Sequence, residues 1–291
     1  MKKIVIYFFL FFILLNLQGC NAERNNKKVF SQPELYTLNF GVEGEKKFKS
    51  YMQTGVDQQP VGMSFFDLTW EPPHLANIKI DLGENSFVIK NAFSAMGTRI
   101  DYAQQNEGIQ IIDVTAGLNK EEFVSQEQAY MAYKELFGQL QKAGWEQYFY
   151  PNTSRIAKQD NIKSMIEDGL IIDPYNFLTL TEWTDFFNKK PTVAVRLYNH
   201  GIFLEMSIDK TKSENDKKQY MLRYSMGTIR YNTKNSIKDG YKLSGQELKT
   251  AFNERMKYNE KQRAKVENQA KKEGFHIDES YQDPDVWQYV K

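Results

Sequence analysis

Residues 192–198 read TVAVRLY, 199–201 read NHG and 202–209 read IFLEMSID. On both sides of the central triplet apolar side chains alternate with polar ones, the period of a strand with one buried face. Asn199-His200-Gly201 supplies turn chemistry, so the stretch predicts an antiparallel hairpin. Downstream, 220–231 continue as a third strand, bent at Gly227. Ser244 with Glu247 three residues on has the form of a capping box, opening a helix that runs to about Lys272 with Gly274 beyond it. The inner stripe of that helix is Leu248, Phe252, Met256, Asn259, Arg263, Val266 and Ala270. Its second half is poorly apolar, which predicts that this half projects from the body. Upstream, one short helix follows Asp160 and ends near Gly169. A second uses Thr181 as its cap, carries Trp183, Phe186 and Phe187, and stops at Pro191.

The first half of the chain has the same grammar. Residues 78–82 alternate, 83–85 supply a turn, and 86–90 resume the alternation. Residues 98–103 and 109–116 flank 105–108 as a second hairpin. Ser125 and Gln128 form another capping box, Gly144 fits the C′ position, and Tyr130, Tyr133, Phe137 and Leu140 share one helical face. Residues 145–150 read as a returning strand. Strands in runs joined by short turns, followed by helices, predict an α+β fold of antiparallel sheets with long helices, not alternating βαβ units. Two lobes are expected, 35–156 and 157–291, each made of strands followed by a helix.

Composition narrows the function classes. The chain has 291 residues, 14% of them aromatic, with 38 basic against 37 acidic side chains, one cysteine and three histidines. So many aromatics require a folded core. Charge neutrality argues against nucleic acid as a partner, because that binding needs a basic surface. One cysteine excludes an intramolecular disulfide framework and any multi-cysteine zinc site.

At the N-terminus Lys2 and Lys3 precede an unbroken apolar run, 4–15. As a helix these residues rise about 18 Å, short of the roughly 30 Å hydrocarbon core. That is the length of a secretory h-region. Leu17-Gln18-Gly19-Cys20 follows at once and resembles the lipobox of bacterial lipoproteins. The resemblance implies a signal peptide at 1–19, recognition by the signal peptidase through Leu17 and Gly19, and lipidation of Cys20 by acyl chains such as palmitate. Two or more chains anchor a protein stably. Asn21 stands where many inner-membrane lipoproteins carry aspartate, so the resemblance favours the periplasmic face of the outer membrane. Residues 20–34 are polar and read as a lipidated tether.

Catalytic signatures are scarce. His74, His200 and His276 lie far apart and show no ligand spacing, so no metal or cofactor is expected. Ser207 and Lys210 match a serine–lysine pattern but fall at the end of a strand, where i and i+3 point to opposite faces. Glu182 with Asp185, and Asp283 with Asp285, are carboxylate pairs that caps or solvated faces explain equally well. No catalytic residue is therefore expected. Two segments escape the periodicity of a core, 65–73 and the tail 281–291. Their Trp70, Trp287 and Tyr289 are candidate partner-binding residues, the tail either docking on the body or offering an anchor. In architecture (lipobox, tether, one body, no catalytic motif) the chain is similar to immunity lipoproteins that neutralise type VI secretion effectors. That resemblance implies a non-enzymatic protein partner, an effector toxin, bound stoichiometrically. A structural or assembly lipoprotein contacting another envelope component is the alternative, and an envelope hydrolase the third reading.

Overall fold

In the computed structural model, which describes residues 33–102 and 107–291, the 192–209 hairpin forms as expected and lies within a much larger sheet. The expected signal peptide with Leu17, Gly19 and Cys20, and nearly all of the tether, lie outside the described residues. The first half contributes β1 (Tyr36–Leu38), α1 (Gly41–Tyr51), β2 (Asp57–Gln59), β3 (Met63–Thr69), β4 (Ala76–Ile80), β5 (Phe87–Ile100), β6 (Ile109–Gly117), α2 (Gln126–Lys142) and β7 (Glu146–Gln147). The second half adds α3 (Asn161–Asp168), β8 (Leu170–Ile171), α4 (Leu180–Lys189), β9 (Thr192–Asn199), β10 (Ile202–Glu214) and β11 (Lys217–Thr228). It closes with α5 (Ile229–Ser236), α6 (Gly245–Lys272) and α7 (Trp287–Val290). The α+β reading holds.

Eleven strands make one sheet in the order β1-β4-β5-β6-β11-β10-β9-β7, with β3 also on β5, β2 on β3, and β8 on β9. Pairing is antiparallel except for β1 with β4 and β8 with β9. The expected division near residue 157 is not a break in this sheet. β6, from before it, pairs with β11, from after it, through the register Ile111↔Gly227 to Gly117↔Met221. Glu34–Lys291 is accordingly one compact unit. The runs of strands in each half were correctly read as antiparallel, but the unpaired edges of two half-sheets are satisfied by each other.

Register explains the core. Phe66, Gly97, Ile112, Met226, Leu204 and Leu197 stand side by side across six strands, all on one face and all buried. Helices α1, α2 and α4 cover that inner face. Phe48 of α1 rests on Gly97, where a Cβ would come within 2.8 Å of its ring, so only glycine admits the helix. Tyr133 of α2 packs on Trp183 of α4 at 4.8 Å between centroids, and Trp183 and Phe187 pack on Tyr220 of β11.

Local signals are mixed in outcome. The capping box at Ser125 and Gln128 is fully formed, and Gly144 is left-handed at φ 75. The α4 cap is Thr179 with Glu182, two residues before the expected Thr181. Ser244 precedes α6 but its side chain makes no capping hydrogen bond. The third strand ends at Thr228, where a threonine cap starts α5 (absent from the sequence reading), and only 146–147 of the expected 145–150 strand pair. The second half of α6 does not project. Arg263 donates to the carbonyls of Tyr150 and Thr153 and to Asp283, while Glu267 accepts from Arg155 at 2.7 Å. Hydrogen bonds dock its polar positions, and Ala270 adds apolar contact within the cluster of Phe149, Ile156, Ile172 and Phe275.

Candidate open sheet face

The inner face is covered, and the alternate residues of the same strands form the outer one. From β3 to β9 the row beside the core row reads Asp67, Met96, Asp113, Ser225, Glu205 and Arg196. The next row reads Thr69, Ser94, Thr115, Arg223, Ser207 and Ala194. A strand with one buried face must place its polar alternates together in this way. Asp67, Thr69, Arg223 and Ser225 are exposed, and Met96, Asp113 and Thr115 are half-buried.

Charge on this face is unevenly satisfied. Arg196 pairs with Glu205 at 3.2 Å, and Arg223 lies 3.6 Å from Asp209. Asp67 and Asp113 take part in no salt bridge among the described residues. Burial holds the Asp113 carboxyl above its ordinary range, and the hydrogen bond from Ser225 directly opposite offsets this only in part. At the β9 side Tyr150 closes over the sheet, its hydroxyl donating to Glu205 at 3.1 Å and its ring lying 4.9 Å beneath the Arg196 guanidinium. Burial and then Glu205 push the Tyr150 hydroxyl up to about 12, so it stays a donor at neutral pH.

The residues singled out from sequence fall elsewhere. Trp70 is buried at 6% exposure, edge-on to Tyr36 at 4.8 Å, because the strand pleat turns it inward one residue past Thr69. It belongs to the core and offers no ring to a partner. Trp287 lies on Phe252 at 5.0 Å with the Lys249 ammonium 4.0 Å above it. Tyr289 rests against Gly201, and its hydroxyl is 3.4 Å from that of Tyr198. Both tail aromatics are thus docked on the body, with Val290 fully buried behind them.

The remaining chemical candidates are kept apart. Ser207 donates to Asp209, while the Lys210 ammonium reaches the Phe187 carbonyl. Glu182 caps α4, Asp283 holds Arg263, and Asp285 accepts from the Trp287 backbone N–H. His276 faces Asp160 at 3.1 Å, whereas His200 occupies the hairpin turn at φ 40. Among the described residues no group of three or more His, Cys, Asp or Glu is placed to hold a metal ion. Asp67, Asp113 and Ser225 were missed in the sequence, since each is an ordinary polar alternate until the register aligns them. No family model matches the chain, and no curated protein or solved structure matches it.

Proposed function

We propose that this chain is a lipid-anchored binding protein of the bacterial envelope, most specifically an immunity protein that neutralises a secreted effector by stoichiometric binding. Cys20 would hold it at the periplasmic face of the outer membrane. The observation that carries the reading is the outer sheet face, with Asp67 and Asp113 free of basic partners among the described residues. Its exposed part runs from β3 to β11, four strands at about 4.8 Å spacing or roughly 14 Å across, since Tyr150 and the second half of α6 lie over the β9 side. Its free carboxylates fit a partner surface rich in Lys or Arg. Such complementarity speeds encounter and selects the partner. Nanomolar neutralisation requires about −12 kcal/mol, most of it from a few central contacts.

The test is competition between kin cells. A strain lacking the gene should be poisoned by neighbours that deliver their full effector set, and protection should return in proportion to the amount of protein restored. Cys20→Ala should leave unprocessed precursor, lose incorporation of labelled fatty acid and protect poorly. A deletion strain that competes normally would remove the immunity reading and favour a constitutive contact with an envelope component.

A further inference from the structure

A groove of about 380 Å³ lies between the second half of α6, the end of α3 and the outer side of β9. Its size falls within the range of small-molecule sites, about 300–1,000 Å³. Phe149, Ile156, Leu170, Val266, Ala270 and Phe275 make the walls apolar. Two independent features give it chemical direction.

The first is Ser164, which lines the groove, is fully buried, and has a hydroxyl without a hydrogen-bond partner among the described residues. A buried, unpaired hydroxyl is costly to the fold, and a bound donor or acceptor would recover that cost. Asp168 stands four residues on, also lining the groove, so the two side chains share a face of α3.

The second is the acidic end of α3, whereas the last turn of α6 beside it carries Lys271 and Lys272. α3 finishes on Asp168 with Gly169 left-handed at φ 68, and Glu273 caps the end of α6. Helix C-termini already carry partial negative charge and favour basic side chains. The last turn of α3 holds Glu167 and Asp168 and no base. Burial first, then Glu167 and Glu273, keep the Asp168 carboxyl above its ordinary value, with Lys163 a partial counterweight. Lys163 stands at this same end, where its ammonium donates to the Glu273 carbonyl and lies 4.1 Å from the Phe275 ring centre, so it offsets the carboxylates only in part. Arg196, at the other side of the groove, is paired with Glu205.

We propose that the groove binds an organic cation, a primary ammonium on an apolar or aromatic body. The ammonium lies at the Asp168–Glu273 end and donates to Ser164 as well, while the body occupies the space between Phe149 and Phe275. An ammonium has three donors and no acceptor, matching carboxylates and a lone hydroxyl. The same chemistry comes from a free amine or from the lysine side chain of a protein. The groove meets the outer face at Ala194 and Arg196 of β9, but the ammonium site uses neither Asp67 nor Asp113, and its test stands or falls without that reading.

The test titrates the mature protein, by calorimetry or NMR, with phenethylamine, Nα-acetyl-lysine methylamide and phenylacetate. At least one ammonium probe should saturate, phenethylamine the tighter if the natural ligand is a free amine, the lysine derivative if it is a protein side chain. Phenylacetate should not saturate. Asp168→Asn should weaken binding about tenfold, the scale of one charge-assisted hydrogen bond, and Ser164→Ala should weaken it less. Without ligand, Asp168→Asn should melt no lower than wild type, because it removes a carboxylate from a helix C-terminus; Glu273→Gln provides a second variant with the same reading. Failure of both ammonium probes to bind at about 10 mM overturns the proposal. Equal binding of phenylacetate, or unchanged binding in both charge variants, does so as well.

Discussion

Asp113 stands in the middle of a six-residue row with Met96 on one side and Ser225 on the other. A half-buried carboxylate with one hydroxyl for company is a poor choice for stability. Its folded-state pKa lies above its unfolded one, so the folded state binds the extra proton, and this side chain costs stability at neutral pH and costs less as the pH falls. Asp113→Asn is therefore expected to raise stability by on the order of 1 kcal/mol, or about 2–4 °C in Tm for a chain of this size. A thermal melt at pH 7 checks it, and a lower Tm would show that the carboxylate serves the fold. Gly97 illustrates the opposite constraint. It fell outside the strands read from the sequence, and its reason appears when Phe48 is seen against it.

Elements carry the next level of argument. Two capping boxes were legible, at Ser125 and Ser244, and a third at Thr179 was not; side chains form the hydrogen bonds at Ser125 and Thr179 but not at Ser244. Ser125→Ala and Thr179→Ala should each cost about 1 kcal/mol, while Ser244→Ala should cost little; chemical denaturation of the three variants separates them. The second half of α6 misled the sequence reading because an apolar stripe was taken as the only means of docking. Arg263 replaces it with bonds to two backbone carbonyls and Asp283. Arg263→Ala leaves these acceptors unpaired in a buried seam and should cost on the order of 3 kcal/mol. The tail 276–291 closes the same seam through Tyr281 on Phe149 and Asp283 on Arg263, so its removal should destabilise the protein rather than leave a smaller, equally stable body.

At the scale of the whole molecule, one sheet joins both halves of the chain, and unfolding should be cooperative. A chain beginning at Leu35 is expected to melt in a single transition, identical with and without reductant; two transitions separating at residue 157 would contradict the shared sheet. Acid should weaken it through Glu267. Burial alone would raise that carboxyl, but the hydrogen bonds and charge of Arg155 hold it below its ordinary 4.5. Its contribution is complete above about pH 4.5 and is lost as the pH falls through the lower folded value, so Glu267→Gln should flatten the acid limb of a Tm–pH profile.

Period and turn chemistry made the hairpins, the fold class and the helices α2, α3, α4 and α6 legible, because those signals are local, whereas α1, α5 and α7 went unread. The joining of β6 to β11 was not legible, since pairing across more than one hundred positions leaves no local trace. For the same reason the sequence offered conspicuous aromatics as contact residues, while the open face is built from unremarked alternates on separate strands. The most direct measurement is protection by a protein carrying Asp67→Lys and Ser225→Lys, two exposed positions on that face, in a strain lacking the native gene. The variant should fold with a Tm near wild type, reach the envelope in equal amount and fail to protect. Full protection at equal abundance would contradict the assignment of the outer sheet face as the binding surface.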